Sequence, residues 1–482
     1  MPREAISMLW SRLLPGRQPV APFINRRSEL DALRAHLKTG HAELLVVYGR
    51  RRVGKTELLR TAYANADHVY FVADLGADVD QRRRLAGQIY ARFPSRALAE
   101  VHAPSWELIF EHLFGAATEQ PLVVVLDEFP YLCISHKALP SILQRLWDER
   151  GRHSKVCMVL CGSYVSFMER EVLAHKSPLY GRRTGQLLLE PLAFSSLREF
   201  FPRYGAIERV RVHAVLGGVP AYLVQFSDAA SLESNIETAV LGPTAPLREE
   251  VRFILTEELR DPKQYSSVLE AISFGRTRLN EIVQHTTLDR GPISKYLAVL
   301  QELRLVEREV PVTEPAPHKS RKGIYRISDP FFRFWFRFVN SHRSELADRG
   351  ARHVLTTHVV PNLDRFVGQA FEQTCREIVR DLVQAGRLRI AYDRLGRHWD
   401  REMEVDLVAM REGSPVLVGE CKWSRKPVGE DILAQLRQKA ARLSGSGPAP
   451  MLALFSRSGF TPAVSRQERE RELLLVDVRR LD

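Results

Sequence analysis

The chain has 482 residues, 45% of them hydrophobic and 27% charged, and its formal net charge at pH 7 is +12. This composition excludes a disordered chain, and the length predicts about three globular domains of roughly 150 residues each. The basic balance fits a nucleic-acid partner, and it fits equally a protein from an arginine-rich proteome. No apolar run approaches the roughly 18 residues of a membrane span, so no membrane partner is expected.

The start of the chain and its cysteines argue for a cytoplasmic protein. Residues 1–19 form an extension in which Glu4 precedes only a short apolar stretch, so they make a poor signal peptide. The five cysteines show no CxxC spacing. We therefore expect buried free thiols in a reducing cytoplasm and no zinc site.

A phosphate-binding motif follows an apolar run from Leu44 to Tyr48. Glycines let backbone N–H groups turn toward phosphate oxygens, and the start of the following helix adds its dipole. In this motif Lys55 is expected to neutralise charge on the β- and γ-phosphates, and the hydroxyl of Thr56 to bind Mg²⁺. The residues predicted to bind ATP are Gly49, Arg50, Arg51, Arg52, Val53, Gly54, Lys55, Thr56 and Glu57.

A second apolar run, from Leu122 to Leu126, ends in two acids. Its pattern predicts a buried parallel strand, and the carboxyl end of such a strand is where α/β sheets place ligands. We expect Asp127 to hold Mg²⁺ and Glu128 to polarise the attacking water. The alternative is an acidic pair that caps a turn.

Two further sites are candidates for sensing the γ-phosphate. Ser163 ends a third predicted strand, KVCMVLCGSY, and Arg182 and Arg183 follow Gly181 in a turn-like stretch. An arginine there would reach the γ-phosphate of its own or a neighbouring subunit. A serine that merely ends a strand, and solvated surface arginines, are the alternatives.

Six segments of the first 235 residues resemble, in their order, the archaeal-type ATPase family, a STAND-like signalling branch related to AAA+ ATPases. They are FINRRSELDAL, GRRRVGKTEL, VVVLDEFPYL, LCGSYVSFM, SPLYGRRT and LGGVPAYL. The resemblance implies a P-loop core over residues 20–190 and a helical lid over 191–255.

The resemblance also implies two contacts with ATP that the residues alone do not indicate. The segment of Phe23, Arg26 and Glu29 is expected on the adenine side. In the lid, GGVP is expected to approach the nucleotide through Pro220. From the residues alone, GGVP indicates only a helix end and a turn.

Residues 256–330 have the pattern of a winged-helix domain. Three apolar sets at helical spacing are followed by two short strands around a basic loop with Lys319, Arg321 and Lys322. The third helix of such a domain can enter a DNA major groove. Between residues 261 and 330, however, 11 basic side chains face 9 acidic ones, which is weak for a DNA reader. DNA contact and a packing or autoinhibitory role both remain open.

Residues 331–350 are predicted to be an aromatic helical linker. Phe331, Phe334, Trp335 and Phe338 recur at helical spacing, which favours a buried face over a base-stacking surface. This segment also resembles the start of an uncharacterised C-terminal domain that accompanies many of these ATPases.

Residues 351–482 contain acids within short apolar strands, predicted at 387–393, 403–410 and 415–423. A period of two places Asp406 on one face of its strand, and Glu420 with Lys422 on one face of the next. Glu372, on a preceding predicted helix, is expected to join them. Carboxylates in such a group bind Mg²⁺ for phosphodiester hydrolysis, and the lysine stabilises developing phosphate charge.

This spacing of an Asp and a Glu-X-Lys resembles the PD-(D/E)XK nuclease superfamily. The resemblance implies metal roles for Asp406 and Glu420, with Mn²⁺ as an alternative to Mg²⁺, and a catalytic role for Lys422. Val405 departs from the pattern, because a proline often precedes the Asp. Gln435 is a candidate accessory residue. The alternative is a hairpin whose charges simply pair with each other.

The expected fold is therefore mixed α/β. It comprises a P-loop NTPase domain with a parallel sheet and helical lid, a winged-helix domain, and a C-terminal α/β restriction-endonuclease-like domain. We expect an ATP-hydrolysing enzyme that gates a metal-dependent nuclease acting on DNA, with a protein trigger or a homo-oligomer as further partners. The alternative is an ATP-dependent regulatory switch or a binding scaffold whose nuclease fold is inactive.

Overall fold

The computed structural model describes residues 23–95, 98, 101–259, 261–468 and 472–481. The extension at residues 1–19, and the expectation that it is a poor signal peptide, lie outside these residues. Within the described part of the chain, no helix is both long enough and apolar enough to cross a membrane.

The first sheet has five parallel strands in the order β2-β3-β4-β1-β5. Every residue of its three central strands is buried, as expected for a parallel sheet covered by helices on both faces. The strands are β1 (Glu43–Tyr48), β2 (His68–Val72), β3 (Leu122–Asp127), β4 (Val156–Gly162) and β5 (Gly185–Leu188). The helices around them are α1 (Arg27–Ala35), α2 (Lys55–Tyr63), α3 (Asp78–Arg92), α4 (Trp106–Glu119), α5 (Phe129–Ser135) and α6 (Leu139–Glu149).

The strand order brings three predicted site segments to one edge of this sheet. β4 lies between β1 and β3, and all three strands run in the same direction. The phosphate-binding loop after β1, Asp127 at the end of β3 and Ser163 after β4 therefore meet at the carboxyl edge.

Helices follow the first sheet over the region predicted as a lid and a winged helix. The lid contains α7 (Ala206–Leu216) and α8 (Glu250–Glu258). Three helices and an antiparallel two-stranded ribbon come next, the arrangement predicted for a winged helix. They are α9 (Pro262–Ser273), α10 (Leu279–Thr286), α11 (Arg290–Glu302), β6 (Val306–Glu309) and β7 (Ile324–Ile327).

The aromatic segment is buried, as its spacing predicts. It begins as α12 (Pro330–Phe334) and continues through a π-helical turn at Trp335–Val339. Phe331, Phe334, Trp335 and Phe338 are each at most 2% exposed. They belong to one hydrophobic core that also includes residues of the lid, of the three-helix unit and of the C-terminal sheet. A base-stacking surface is thereby excluded for these four rings.

The C-terminal sheet is mixed, in the order β12-β11-β10-β9-β8. Strand β9 pairs antiparallel with both β8 and β10, whereas β10, β11 and β12 are parallel to one another. The long helix α13 (Val360–Gln384) precedes the sheet, and α14 (Glu430–Ser444) connects β10 to β11. The strands are β8 (Arg394–Trp399), β9 (Glu404–Arg411), β10 (Ser414–Lys422), β11 (Met451–Ser456) and β12 (Leu473–Asp477).

One strand prediction is wrong. Residues 387–393 were expected to form the first strand, but β8 begins at Arg394. The backbone N–H groups of Arg387 and Leu388 both donate to the carbonyl oxygen of Leu382, at 2.9 and 3.0 Å, and close the end of α13. These donors are therefore not available for a strand ladder.

Shorter helical segments complete the described fold. They lie at Val165–Phe167, Met168–Leu173, Leu197–Phe200, Pro220–Leu223, Leu232–Ile236, Glu237–Leu241, Arg343–Asp348, Gly350–Val354, Leu355–Val359 and Pro462–Ser465. All five cysteines are free, and four are buried, with Cys421 half-buried.

The glycines of GGVP have a packing reason that the sequence does not show. The backbone N–H of Leu192 donates to the carbonyl oxygen of Gly218 at 2.7 Å. A Cβ atom built on Gly218 would overlap the backbone of Leu192. Only glycine therefore lets the lid approach the segment that leaves the first sheet so closely.

Gly218→Ala should destabilise the protein, because backbone atoms cannot move aside as a flexible side chain can. The expected cost is about 1–3 kcal/mol. Gly87→Ala is the matched control: Gly87 is exposed on α3, and a Cβ there meets nothing within 4 Å. This control should raise stability, by up to about 1 kcal/mol. Urea unfolding measures both changes, and equal effects of the two substitutions would contradict the packing explanation.

Candidate functional site

The loop between β1 and α2 has the backbone that phosphate binding requires. Gly54 caps α2 with φ 92° and Arg52 has φ 72°, both in the left-handed region. At Gly49, a Cβ atom would collide with the carbonyl of Leu189, so the loop passes close to the end of β5. The loop therefore turns its backbone toward the first turn of α2, where N–H groups are unpaired.

Lys55 lies at the centre of this loop and is 5% exposed. Its amino group donates to the carbonyl oxygens of Gly49 and Arg50, each at 2.9 Å. Burial lowers the pKa of Lys55, although the nearby acids Glu128 and Asp127 oppose this shift. A phosphate arriving here would meet a cation that is already positioned inside the loop.

Thr56 and Asp127, both predicted to bind Mg²⁺, are in direct contact. The Thr56 hydroxyl donates to Asp127 Oδ2 at 2.8 Å, and the hydroxyl of Tyr70 donates to the same oxygen at 2.7 Å. Asp127 is 2% exposed. A hydroxyl and a carboxylate at a phosphate-binding loop are oxygen donors of the kind Mg²⁺ prefers, so the donor set fits that ion.

Glu128 and Ser163, predicted separately, form a pair. The Ser163 hydroxyl donates to one carboxylate oxygen of Glu128 at 2.5 Å, and the Ser163 backbone N–H donates to the other at 3.2 Å. Glu128 itself has φ 55° and ψ 42° at the start of α5. Ser163 therefore fixes the direction of the carboxylate that was predicted to polarise water.

A cavity of about 710 Å³ connects these residues. One side is polar and contains Lys55, Thr56, Glu128 and Ser163. The other side contains Arg26, Pro220 and apolar side chains from the first helix region and the lid, namely Phe23, Ile24, Leu192, Phe200, Val224 and Phe253. The volume is within the roughly 300–1,000 Å³ range of small-molecule sites.

Arg26 and Glu29 hold one wall of this cavity together. One terminal nitrogen of Arg26 donates to Glu29 at 2.9 Å, and the other donates to the carbonyl oxygens of Val53 and Glu190, at 3.4 and 2.5 Å. Arg26 thus joins α1 to the phosphate-binding loop and to the end of the sheet.

The three arginines of the loop direct their side chains to acids. Arg50 pairs with Asp329 at 2.9 Å, and Arg52 pairs with Glu250 at 2.7 Å. Arg51 pairs with both Glu257 and Glu258, at 2.9 Å each, and donates to the hydroxyl of Tyr131 at 2.7 Å. These acids were not predicted from the sequence; the available signals were the pair at residues 257–258 and the Asp-Pro start of α12.

Arg182 is not brought to the cavity within the described chain. Its guanidinium pairs with Asp148 on α6 at 2.8 Å and donates to the carbonyl oxygens of Pro178 and Tyr180, at 3.2 and 3.1 Å. Arg183 donates to the carbonyl of Leu173 at 3.0 Å. An arginine that acts on a neighbouring subunit remains a prediction.

The predicted acids of the C-terminal sheet lie on the neighbouring strands β9 and β10 and on α13. Asp406 on β9 accepts a hydrogen bond from the backbone N–H of Cys421 on β10 at 2.9 Å. Glu420 pairs with Lys422 through one oxygen at 2.7 Å and with Lys439 through the other at 2.9 Å. Glu372 on α13 pairs with Arg397 on β8 at 2.9 Å.

The charges in this cluster act on each other. Burial, together with repulsion from Glu420 and Glu372, raises the pKa of Asp406 to about 6. Burial acts to lower the pKa of Lys422, but its hydrogen bond and attraction to Glu420 hold that pKa above the usual value. A divalent cation would relieve the repulsion that Glu420 and Glu372 exert on Asp406. Among the described residues, however, these three carboxylates do not form a set of ligand atoms within 4.8 Å of one another.

Two basic residues of this cluster were missed. Lys439 lies one helical turn after Gln435 on α14, and Gln435 is exposed. Arg397 lies on β8, the strand whose start was mispredicted, and besides Glu372 it contacts Glu404. Helical spacing from Gln435 could have indicated Lys439, whereas Arg397 carried no local signal.

Two family comparisons cover most of the chain. A family described as an ATPase domain predominantly from Archaea matches residues 23–226. A second, described as archaeal and bacterial proteins of unknown function, matches residues 335–439. The carboxylate cluster therefore lies largely in a segment whose family carries no assigned activity.

Individual relatives are mostly uncharacterised. A protein of Methanocaldococcus jannaschii is 32% identical over 402 residues, which is 83% of this chain and 87% of that protein. An uncharacterised ATP-binding protein of the same organism is 41% identical over 46 residues, 10% of this chain and 78% of that protein. The Walker-type ATPase of Pyrococcus abyssi shares the fold, with a TM-score of 0.52 at 20% identity over 65% of this chain and 96% of that one.

The raised pKa of Asp406 predicts a pH-dependent stability in the absence of metal. A carboxyl group that holds its proton more tightly when folded stabilises the fold at low pH, and this contribution is lost as pH rises through about 6. Asp406→Asn should therefore raise Tm by a few degrees at pH 8 in EDTA, and much less at pH 5. Thermal denaturation measures this, with exposed Asp31→Asn as control. An equal gain at both pH values would contradict the assigned ionisation.

Proposed function

Since the chain belongs to the family of ATPases found predominantly in archaea, we propose that its loop residues bind ATP with Mg²⁺ and that Glu128 drives hydrolysis. The observation that carries this proposal is the pairing of Glu128 with Ser163 beside the contact between Thr56 and Asp127. The oriented base and Thr56 then face one cavity, and Asp127 is buried in contact with Thr56.

Each residue has a separate task in this proposal. Lys55 releases the carbonyls of Gly49 and Arg50 and binds the β- and γ-phosphates. Thr56 and Asp127 hold Mg²⁺, which neutralises phosphate charge. Glu128, held by Ser163, orients the attacking water and accepts its proton. The apolar wall that includes Phe23 and Pro220 receives the base.

We further propose that nucleotide state is transmitted through the loop arginines. Phosphate groups compete with carboxylates for a guanidinium, because each of these anions can accept two parallel hydrogen bonds from it. Arg51 and Arg52 line the cavity and also pair with acids on α8. ATP binding would therefore weaken contacts that hold the lid, and through Arg50 and Asp329 would alter the start of α12.

For the C-terminal sheet we propose a metal-dependent nuclease acting on DNA. The hydrogen bond from the N–H of Cys421 to Asp406 and the ion pair of Glu420 with Lys422 support it. Glu372 also raises the pKa of Asp406. Asp406 and Glu420 would hold a divalent ion that supplies hydroxide, and Lys422 would stabilise charge on the scissile phosphate. Lys439 would keep the carboxylate of Glu420 oriented through their ion pair.

The second candidate is a non-cleaving regulatory switch. Both oxygens of Glu420 are occupied by lysines, which would suit a purely structural cluster. The ribbon region also packs on the C-terminal sheet, where the N–H of Val312 donates to the carbonyl of Arg397 at 2.8 Å. Lys295 on α11 remains exposed and available for a phosphate contact, so packing by the ribbon and DNA contact by α11 are compatible.

The ATPase assignment predicts a separation of binding from turnover. Lys55→Ala should abolish tight ATP binding, because the phosphates lose their nearest cation. Glu128→Gln should bind ATP about as well as wild type but hydrolyse it at least about 100-fold more slowly. Nucleotide titration and phosphate release measure the two properties, with exposed Glu119→Gln as control. Wild-type turnover in Glu128→Gln would remove Glu128 from the mechanism.

The nuclease assignment predicts two different losses. Asp406→Ala should reduce both Mn²⁺ affinity and DNA cleavage, whereas Lys422→Ala should keep metal affinity within a few-fold and reduce cleavage about 100-fold. Plasmid and single-stranded substrates, each with Mg²⁺ and Mn²⁺, provide the assay, and exposed Lys426→Ala is the control. Absence of cleavage by wild type at every nucleotide state would favour the regulatory switch.

A further inference from the structure

A second cavity, of about 370 Å³, lies between the ribbon, the aromatic segment and the helix α13. Its walls carry six arginines but only two acids, Glu307 and Glu372. The arginines are Arg326, Arg333, Arg337, Arg365, Arg376 and Arg397. Even when Glu309, which pairs with three of them, and Glu404, which pairs with Arg397, are included, positive charge exceeds negative charge by two.

Arg333 has no acidic partner in this group. Its Nε and one terminal nitrogen are shut off from solvent and lack any hydrogen-bond acceptor. Its guanidinium lies over the ring of Phe366, 4.9 Å from the centroid. Burial, and then the charge of Arg326, lower the pKa of Arg333 to about 10. Two guanidinium nitrogens that are shut off from solvent without acceptors are costly, and the nearby acids Glu372 and Asp329 offset that cost only through charge, not through hydrogen bonds.

Arg376 is similarly under-supplied with acceptors, whereas Arg397 is well paired. Arg376 and Arg397 are 8% and 7% exposed. Arg376 NH1 has no hydrogen bond and approaches Glu309 only to 3.8 Å. Arg397 is shared among Glu309, Glu372 and Glu404.

We propose that this cavity binds a small phosphorylated anion. Guanidinium groups bind phosphate through paired hydrogen bonds, and the site presents several of them around one cavity. The aromatic rings of Phe274, Phe338 and Phe366 add apolar wall. The site stands apart from the phosphate-binding loop, and it does not depend on nuclease activity.

The size of the cavity favours a small ligand over DNA. About 370 Å³ is near the lower end of the roughly 300–1,000 Å³ range of small-molecule sites, and such sites commonly lie between domains. A duplex cannot enter a space of this size. Glu372, however, belongs both to this cavity and to the carboxylate cluster. A strand of DNA is therefore the alternative occupant, and the experiment must distinguish it from a small ligand.

Calorimetry with inorganic pyrophosphate tests the proposal directly. The full chain is saturated with ADP in EDTA, so that the loop is filled and no divalent ion bridges the carboxylates. We expect pyrophosphate to bind, and Arg333→Gln and Arg376→Gln each to weaken that binding at least about tenfold. Exposed Arg343→Gln should bind as wild type does. No binding, or equal affinity in all four proteins, would overturn the proposal.

A second variant separates ligand binding from folding. Arg333→Met keeps a similar volume but removes the charge. If the guanidinium serves a ligand, this variant should melt no lower than wild type without pyrophosphate, and should lose the rise in Tm that pyrophosphate gives wild type. A lower Tm with an unchanged pyrophosphate response would make Arg333 structural. Displacement of pyrophosphate by a short single-stranded DNA without terminal phosphates would assign the cavity to DNA and reject the small ligand.

Discussion

The organisation of this protein depends on the ion pairs that leave its phosphate-binding loop. Arg50, Arg51 and Arg52 stand between the two glycines of the motif, and each pairs with an acid of a later element. Glu250 is 5% exposed, and burial raises its pKa even though Arg52 opposes that shift. Breaking one partner of such a pair leaves a buried charge without compensation, so the loop and the lid are constrained to each other.

Asp329 extends this constraint beyond the lid. It accepts a hydrogen bond from the N–H of Phe332 at 3.0 Å, and so caps α12, while its other oxygen pairs with Arg50. α12 then leads the aromatic segment into a core shared by the lid, the three-helix unit and the C-terminal sheet. The segment predicted as a linker packs against the lid, the three-helix unit and α13, which ties the positions of these elements to the loop.

The two acidic sites differ in how far the protein itself satisfies them. Asp127 accepts hydrogen bonds from Thr56, from Tyr70 and from the N–H of Glu128, so its charge is supported by neutral donors. Asp406 has the N–H of Cys421, but it also faces Glu420 and Glu372, and its pKa is raised. An acid that is under-compensated within an apolar strand costs stability, whereas the charge of Asp127 is supported within the fold.

The sequence alone determined the features that depend on neighbours along the chain. Local spacing predicts four such features, and each was found as an element of the expected type. They are the phosphate-binding loop, the buried strand that ends in Asp127, the helical face of the aromatic segment and the strands of Asp406 and Glu420. Only the tertiary structure decided which side chains meet across that spacing. The acidic partners of the loop arginines lie about 200 or more residues away along the chain. The residue of α14 that contacts Glu420 is Lys439, one helical turn after the predicted Gln435. Strand β8 begins only after residues 387 and 388, because their amides close the end of α13. Such pairings are set by burial and charge compensation in the folded chain, and those forces leave no periodicity for a sequence pattern to reveal.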